Sequence, residues 1–136
     1  MSARKILVTG AAGKIGSAFY KAYGDELVLR LADIDVSKLA DSSERFALDI
    51  TDLSRCHEAC EGIDTVIHLA ADPNPDADFM TSVLPVNIVG TYNMLLAAKT
   101  QGCKRFIFAS SAQAIEGYPK DVQVHESMAP RPGNLY

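Results

Sequence analysis

Residues 5–16 read KILVTGAAGKIG, and this stretch decides the fold. The first five residues of this stretch are mostly apolar and predict a buried strand. Near the end of the stretch, apolar residues begin to recur at helical spacing. Three glycines, Gly10, Gly13 and Gly16, lie between the two. A strand, a glycine loop and a helix in this order bring backbone N–H groups and a helix N-terminus close to a pyrophosphate. A plain tight turn also uses glycines, but the position of these three favours a dinucleotide.

Outward from this stretch, short apolar runs alternate with segments of helical spacing. Strands are predicted at residues 5–9, 26–31, 45–49, 65–69 and 106–109, and helices at 14–23, 52–60 and 83–101. Residues 112–136 are rich in glycine and proline and are interpreted as loop. Strands alternating with helices imply an α/β fold, a Rossmann-type doubly wound parallel sheet with helices on both faces. We expect residues 1–136 to form one domain around this sheet.

The composition excludes some classes of partner. The 136 residues are 48% hydrophobic and 22% charged, and their net charge is -4. This length and this apolar fraction are enough for one hydrophobic core. This charge argues against a nucleic-acid or anionic-membrane partner, since both require clustered Lys and Arg. No apolar run approaches the roughly 18 residues of a membrane helix. The N-terminus has no signal peptide, so a cytoplasmic protein is expected.

Three cysteines, Cys56, Cys60 and Cys103, form no spaced framework and are interpreted as reduced thiols. The first two are four residues apart on a predicted helix and could share a face. A metal site would need further ligands, and the one nearby candidate, His57, lies on another face. We therefore expect small side chains of a packed helix and no metal.

An acidic residue follows the second predicted strand. Asp33 lies 17 positions beyond Gly16, close to the roughly 20 expected for the carboxylate that accepts the ribose hydroxyls of NAD. Such a carboxylate repels a 2′-phosphate, so NAD is favoured over NADP. Asp33 could instead cap the following turn, and Asp35 could be confused with it. Arg30 and Lys14 are nearby cations that could soften the preference.

Further motifs occur in order along the chain. They are Asp49–Ile50 after strand 3, His68–Ala71 after strand 4, Asn87 in the long helix, Ser110–Ser111 after strand 5, and the Pro-Gly-Asn-Leu-Tyr sequence of residues 132–136. As an ordered set, these motifs resemble the extended short-chain dehydrogenase/reductase family, which contains NAD-dependent sugar epimerases, dehydratases and dehydrogenases. The resemblance covers the whole chain. It implies that residues 1–136 are an NAD-binding domain, truncated after strand 5, without the following helix, strand 6 and substrate domain.

The resemblance implies a set of site residues. With the glycine loop and Asp33, the expected cofactor-binding residues are Gly10, Gly13, Lys14, Ile15, Gly16, Asp33, Asp49, Ile50, Leu69, Ala70, Ala71, Asn87 and Ser110. The expected catalytic residues are Ser111, which holds the reacting oxygen, and Tyr136, which exchanges the hydroxyl proton. In the family a lysine four residues beyond the tyrosine lowers its pKa. His68 is interpreted as a packed strand residue.

Within the family, Arg30–Asp33 and Gly117–Pro119 look most like uronate dehydrogenases, which oxidise C1 of a hexuronic acid. The positions after the serines depart from that subfamily, because Ala112–Gln113 stands where it carries an Asn-His pair. A sugar or sugar acid is therefore the expected substrate. A nucleotide-sugar epimerase or dehydratase, and a non-catalytic NAD-binding module, are the alternatives. The family also implies a homodimer for the full-length protein.

Overall fold

A computed structural model describes residues 4–41 and 43–133. Its strands are β1 (Lys5–Thr9), β2 (Val28–Asp33), β3 (Glu44–Ala47), β4 (Thr65–His68) and β5 (Arg105–Phe108). They form one sheet in the order β3-β2-β1-β4-β5, and every neighbouring pair is parallel. The strand order reverses between β1 and β4, and in sheets of this kind ligands bind at that reversal, beyond the carboxyl ends of the strands. The predicted Rossmann-type α/β fold is confirmed.

Helices connect the strands. They are α1 (Lys14–Tyr23), α2 (Leu53–Cys60) and a long helix whose first part, Phe79–Gly90, has wide π-type turns and whose second part, α3 (Thr91–Thr100), is regular. Short 3-10 turns occur at Val36–Lys38 and Ala112–Ile115. The wide turns start at Asp78, whose carbonyl accepts from the N–H of Val83 and whose carboxylate accepts from the N–H of Thr81.

The core has one layer on each face of the sheet. On one face, Leu7 and Val66 pack with α2 and α3, and Cys56, Cys60 and Met94 are fully buried there. The other face carries a second cluster around Val8, Ala11, Leu29, Leu31 and Leu39, with Phe19 and Tyr20 of α1 packed against it. The prediction that Cys56 and Cys60 are packed helix residues is confirmed. Burial raises the pKa of each of these two thiols to about 12.

Three elements differ from the prediction by two or more residues at a boundary. The second strand starts at Val28 rather than at residue 26, because the N–H groups of Glu26 and Leu27 donate to the carbonyl of Tyr23 and close the turn after α1. Strand β3 lies slightly earlier than predicted. The long helix starts four residues earlier than predicted, because Asp78 caps it. Pro85 does not interrupt this helix, since it lies within the wide turns.

The helix Phe79–Thr100 has the length and apolar composition of a membrane span, by those two criteria only. The expectation of no such segment was therefore wrong. Val83, Met94 and Ala97 are buried against the rest of the domain, whereas Met80, Ile88 and Leu95 on the same helix are exposed.

Strand β5 lies at an edge of the described sheet, as expected for a sheet that ends with this strand. Ile107 and Phe108 are about half exposed, although their continuous apolar sequence is typical of a strand covered on both faces. Tyr92 and Leu95 of α3 are also exposed.

Candidate cofactor site

A cavity of about 550 Å³ opens where the strand order reverses, within the usual size of a small-molecule site. Ten residues expected to bind cofactor line it: Gly10, Gly13, Ile15, Gly16, Asp33, Asp49, Ile50, Leu69, Ala70 and Ala71. Three others, Lys14, Asn87 and Ser110, are not among the lining residues, and a direct cofactor contact from them stays a prediction. The sequence motifs thus converge on one cavity.

The three loop glycines meet different constraints. Gly10 has a φ of +66°, and a Cβ there would lie 2.7 Å from the backbone nitrogen of Ala70. A Cβ on Gly16 would lie 2.6 Å from the Cα of Ala11. These two glycines therefore allow the loop to pack against its neighbours. A Cβ on Gly13 would have one neighbouring atom within 4 Å among the described residues, the carbonyl oxygen of Gly10, at a distance of 3.2 Å.

Gly13 is the N-cap of α1 and makes no side-chain capping hydrogen bond. The first N–H groups of a helix have no partner within the helix, and the helix dipole makes this end attractive to anions. Gly13 thus keeps the cavity open beside the N-terminus of α1, where a side chain would intrude. This cradle fits the pyrophosphate of a dinucleotide.

Asp33 caps the following turn, the alternative that the sequence offered, and also binds the glycine loop, which the sequence did not reveal. One carboxylate oxygen accepts from the backbone N–H of Ala12 at 2.9 Å, and the other accepts from the N–H of Asp35 at 3.3 Å. The side chain therefore ties the end of β2 to the glycine loop while lining the cavity. A carboxylate at this position fits the ribose hydroxyls of NAD.

Arg30 does not act as the nearby cation expected from the sequence. Its Nε donates to Glu44 at 2.9 Å, and one terminal nitrogen donates to the carbonyls of Ala59 and Glu61, at 2.6 and 3.1 Å. Arg30 is 9% exposed and does not line the cavity. The expectation for Arg30 was wrong, because its side chain extends from β2 toward the end of α2.

Two asparagines of the long helix support the segments that line the cavity. Asn87 accepts from the N–H of Asp72 at 2.8 Å and donates to the carbonyl of the same residue at 3.1 Å, so it fixes the chain just after the Ala70–Ala71 segment. Asn93 donates to the carbonyl of Ile50 at 3.0 Å. Sequence reasoning named Asn87 as a cofactor-binding residue and missed Asn93, because a buried asparagine in a helix has no distinctive spacing.

His68 is buried at the end of β4 and makes two side-chain hydrogen bonds. The hydroxyl oxygen of Thr9 accepts from the N–H groups of Leu69 and Ala70, at 3.2 and 3.3 Å. The hydroxyl of Thr9 therefore donates its proton to Nδ1 of His68, 2.7 Å away, and this nitrogen must be the acceptor. The Nε2–H then donates to the hydroxyl of Thr91 at 3.1 Å. His68 is a packed strand residue, as predicted, and its neutral form links β1, β4 and α3.

Burial lowers the pKa of His68 from 6.5 to about 4. Because the unfolded chain binds this proton more readily, the stabilisation present above pH 6.5 is lost as the pH falls toward 4. We expect the free energy of unfolding to fall by about 3 kcal/mol between pH 7 and pH 4 through this residue. Urea denaturation at several pH values would measure it.

The control for this prediction is a second histidine. His68→Gln should flatten the dependence between pH 6.5 and 4, whereas His125→Gln, at an exposed position, should keep it. Carboxylates with lowered pKa values, such as Asp72 and Glu44, titrate below their ordinary range and so largely below this window. An unchanged slope in His68→Gln would show that another group is responsible.

The predicted catalytic residues are less well defined. Ser111 is exposed, and its hydroxyl accepts from the N–H of Gln113 at 3.1 Å, which caps the turn Ala112–Ile115. Neither Ser110 nor Ser111 lines the cavity. Tyr136 lies outside the described residues. The catalytic assignments of Ser111 and Tyr136 therefore stay predictions.

Comparison with known proteins agrees with this geometry. Residues 6–136 match the family model described as NAD dependent epimerase/dehydratase. The chain belongs to this family. The resemblance drawn from the sequence motifs is thus confirmed, and the expected cofactor, NAD, is the cofactor of the family.

Individual relatives include dehydrogenases of sugars and sugar acids. An NAD-dependent glucose-6-phosphate dehydrogenase of Haloferax volcanii is 37% identical over 96% of this chain and 56% of its own length. A uronate dehydrogenase of Pseudomonas putida is 34% identical over 97% of this chain and 50% of its own. A solved uronate dehydrogenase from Agrobacterium tumefaciens, complexed with NAD, has a TM-score of 0.87 and 29% identity, covering 98% of this chain and 51% of that chain. The chain spans about half the length of the curated relatives it matches.

Proposed function

We propose that the whole protein is an NAD-dependent dehydrogenase that oxidises a sugar or sugar acid at C1. The observation that carries this proposal is the cavity, with Gly13 at the N-terminus of α1 and Asp33 at the end of β2. The relatives' names support the substrate class. Hexuronates are the first substrates to test, because the sequence resembles uronate dehydrogenases at Arg30–Asp33 and Gly117–Pro119.

Each part of the site has a distinct task in this proposal. Bound NAD supplies the hydride acceptor at C4 of its nicotinamide ring. The helix end at Gly13 binds the pyrophosphate, and Asp33 binds the adenine ribose. Asn87 holds the segment that follows β4 in place.

The remaining steps fall to the predicted catalytic residues. Ser111 follows β5, which is the neighbour of β4 in the parallel sheet. It therefore lies beyond the carboxyl ends of the strands, as the cavity does. Its hydroxyl would orient the substrate oxygen, and Tyr136 would accept the proton of the hydroxyl group as the hydride leaves carbon. That the whole protein forms a homodimer and lies in the cytoplasm are further predictions.

In the whole protein, Tyr136→Phe should reduce turnover by about 100- to 10,000-fold, the usual contribution of a general acid–base group. Ser111→Ala should also impair turnover, and both variants should bind NAD with parental affinity. The measurement is NADH absorbance with a panel of hexuronates, aldose 6-phosphates and neutral aldoses, beside calorimetric titration of NAD. Ser127→Ala, an exposed serine on a later loop, is the control.

The possible results separate the alternatives. Near-full turnover by Tyr136→Phe would remove this tyrosine from the mechanism. NAD binding without NADH formation from any sugar would contradict a dehydrogenase and favour an epimerase or a non-catalytic module. Interconversion of a nucleotide sugar without net NADH would then identify the epimerase.

A further inference from the structure

The described residues lining the cavity carry an uneven set of charges. Three carboxylates, those of Asp33, Asp35 and Asp49, face it. Among lining residues in the part of the chain that the structure describes, Lys38 is the one cation. Lys38 ends the short turn Val36–Lys38 that follows β2, so it lies near the carboxylate that fits the adenine ribose. The sequence expectation had named Arg30 and Lys14 for this part of the site.

Lys38 belongs to a small network with the two preceding aspartates. Its Nζ lies 3.1 Å from a carboxylate oxygen of Asp35. The N–H of Asp35 in turn donates to Asp33 at 3.3 Å. The other oxygen of Asp35 accepts from the N–H of Ser37 at 3.1 Å and from its hydroxyl at 2.6 Å. Asp35 is thus fixed by the turn, whereas the ammonium of Lys38 pairs with Asp35 alone among the residues that the structure describes.

This ion pair is weak enough to be exchanged. The Lys38 side chain is 68% exposed and that of Asp35 is 44% exposed, and exposed ion pairs of this kind are screened by water and salt. A lysine ammonium on a flexible stem can leave one anion for another. A phosphate dianion carries more charge than a carboxylate and offers three acceptor oxygens.

We propose that Lys38 is a cofactor-specificity residue that lets the cavity accept a 2′-phosphorylated adenine ribose at reduced affinity. When NADP enters, the ammonium of Lys38 exchanges the Asp35 carboxylate for the 2′-phosphate. Asp33 opposes the phosphate and keeps NAD preferred, while Asp35 limits how much of the Lys38 charge is available. This inference rests on the proposed function only in that the cavity binds the adenosine half of NAD.

Lys38→Gln should weaken NADP binding about tenfold and leave NAD binding within about twofold, since a charge-assisted hydrogen bond to phosphate is lost only for NADP. Asp35→Asn should strengthen NADP binding about threefold by releasing Lys38, with NAD again little changed. Both effects should shrink at high salt because the groups are exposed. Calorimetric titration with NAD and NADP, on the whole protein and on both variants, measures the six dissociation constants, and 2′-AMP against 5′-AMP isolates the phosphate.

The control is Lys21→Gln, which removes an exposed lysine from the last turn of α1 and should change neither constant. Circular dichroism verifies that each variant is folded. Equal weakening of NAD and NADP in Lys38→Gln, or no change in either, would overturn the assignment of Lys38. If the parent protein binds neither dinucleotide, the proposed function fails, and the specificity inference fails with it. Parental NAD binding with an unaltered NADP constant in Lys38→Gln would leave the proposed function standing and reject Lys38 alone.

Discussion

Gly13→Val should abolish NAD binding, with a loss of affinity of about 100-fold or more, while the domain stays folded. Gly13 has φ -72° and ψ 174°, a conformation that valine adopts readily. Its Cβ would have one near neighbour, at 3.2 Å. The two methyl groups would instead occupy the space beside the N-terminus of α1, where the pyrophosphate must approach. Calorimetric titration of NAD, with circular dichroism to verify folding, measures the effect.

Two further variants make this experiment specific. Ala18→Val adds the same branched side chain on the exposed face of α1 and should bind NAD normally. Gly10→Val should lose binding for another reason, since a Cβ there meets the backbone of Ala70 at 2.7 Å and the φ of +66° is unfavourable. This variant should therefore also lose stability. Parental NAD affinity in a folded Gly13→Val protein would show that the phosphate loop is misassigned.

Arg30→Met should lower the free energy of unfolding by about 3 kcal/mol, the order expected when a buried charged group loses its hydrogen bonds to backbone carbonyls. The guanidinium of Arg30 pairs with Glu44 and donates to the carbonyls at the end of α2. Without it, those carbonyls lose their donor inside the protein. Methionine fills much of the volume, so the effect reports the lost hydrogen bonds. Urea denaturation at pH 7 measures it.

Two control variants separate charge from geometry. Arg30→Lys keeps the charge but cannot reproduce the fork of donors, so it should lose most of the same stability. Arg45→Met removes an arginine whose side chain is 40% exposed and which pairs with Asp41, itself 91% exposed. This change should lower the free energy of unfolding by about 1 kcal/mol or less. If Arg30→Met differs from the parent by no more than Arg45→Met does, the Arg30 network is not a major source of stability.

The fold was predictable because its signals are local. Lys5–Thr9 and Lys14–Tyr23 were located to the residue, since a glycine loop marks both boundaries. The start of β2 was less clear, because Leu27 continues the apolar sequence of the strand, yet Glu26 and Leu27 form a turn through hydrogen bonds to Tyr23. A turn closed by backbone groups leaves no pattern in side chains.

The site was predictable where motifs contact the cavity through backbone or small residues. Arg30 was misassigned because a sequence gives the position of a strand residue but not its face with certainty. Leu29 and Leu31 face the α1 side of the sheet, so Arg30 between them extends toward α2. Lys38 was missed because its approach to the cavity depends on the turn that Asp35 caps.

The link between Thr9 and His68 has a consequence for the order of assembly. Thr9 and Ala70 are 61 residues apart, yet the hydroxyl of the first accepts from the N–H of the second, and Gly10 packs directly against that residue. Contacts so distant in sequence form late, because a long loop must close before they can stabilise anything. On the ribosome, β1, α1 and β2 emerge first, but the phosphate loop can take its final shape only after β4 has been synthesised and has paired with β1. The earliest motif in the chain is therefore completed late in folding.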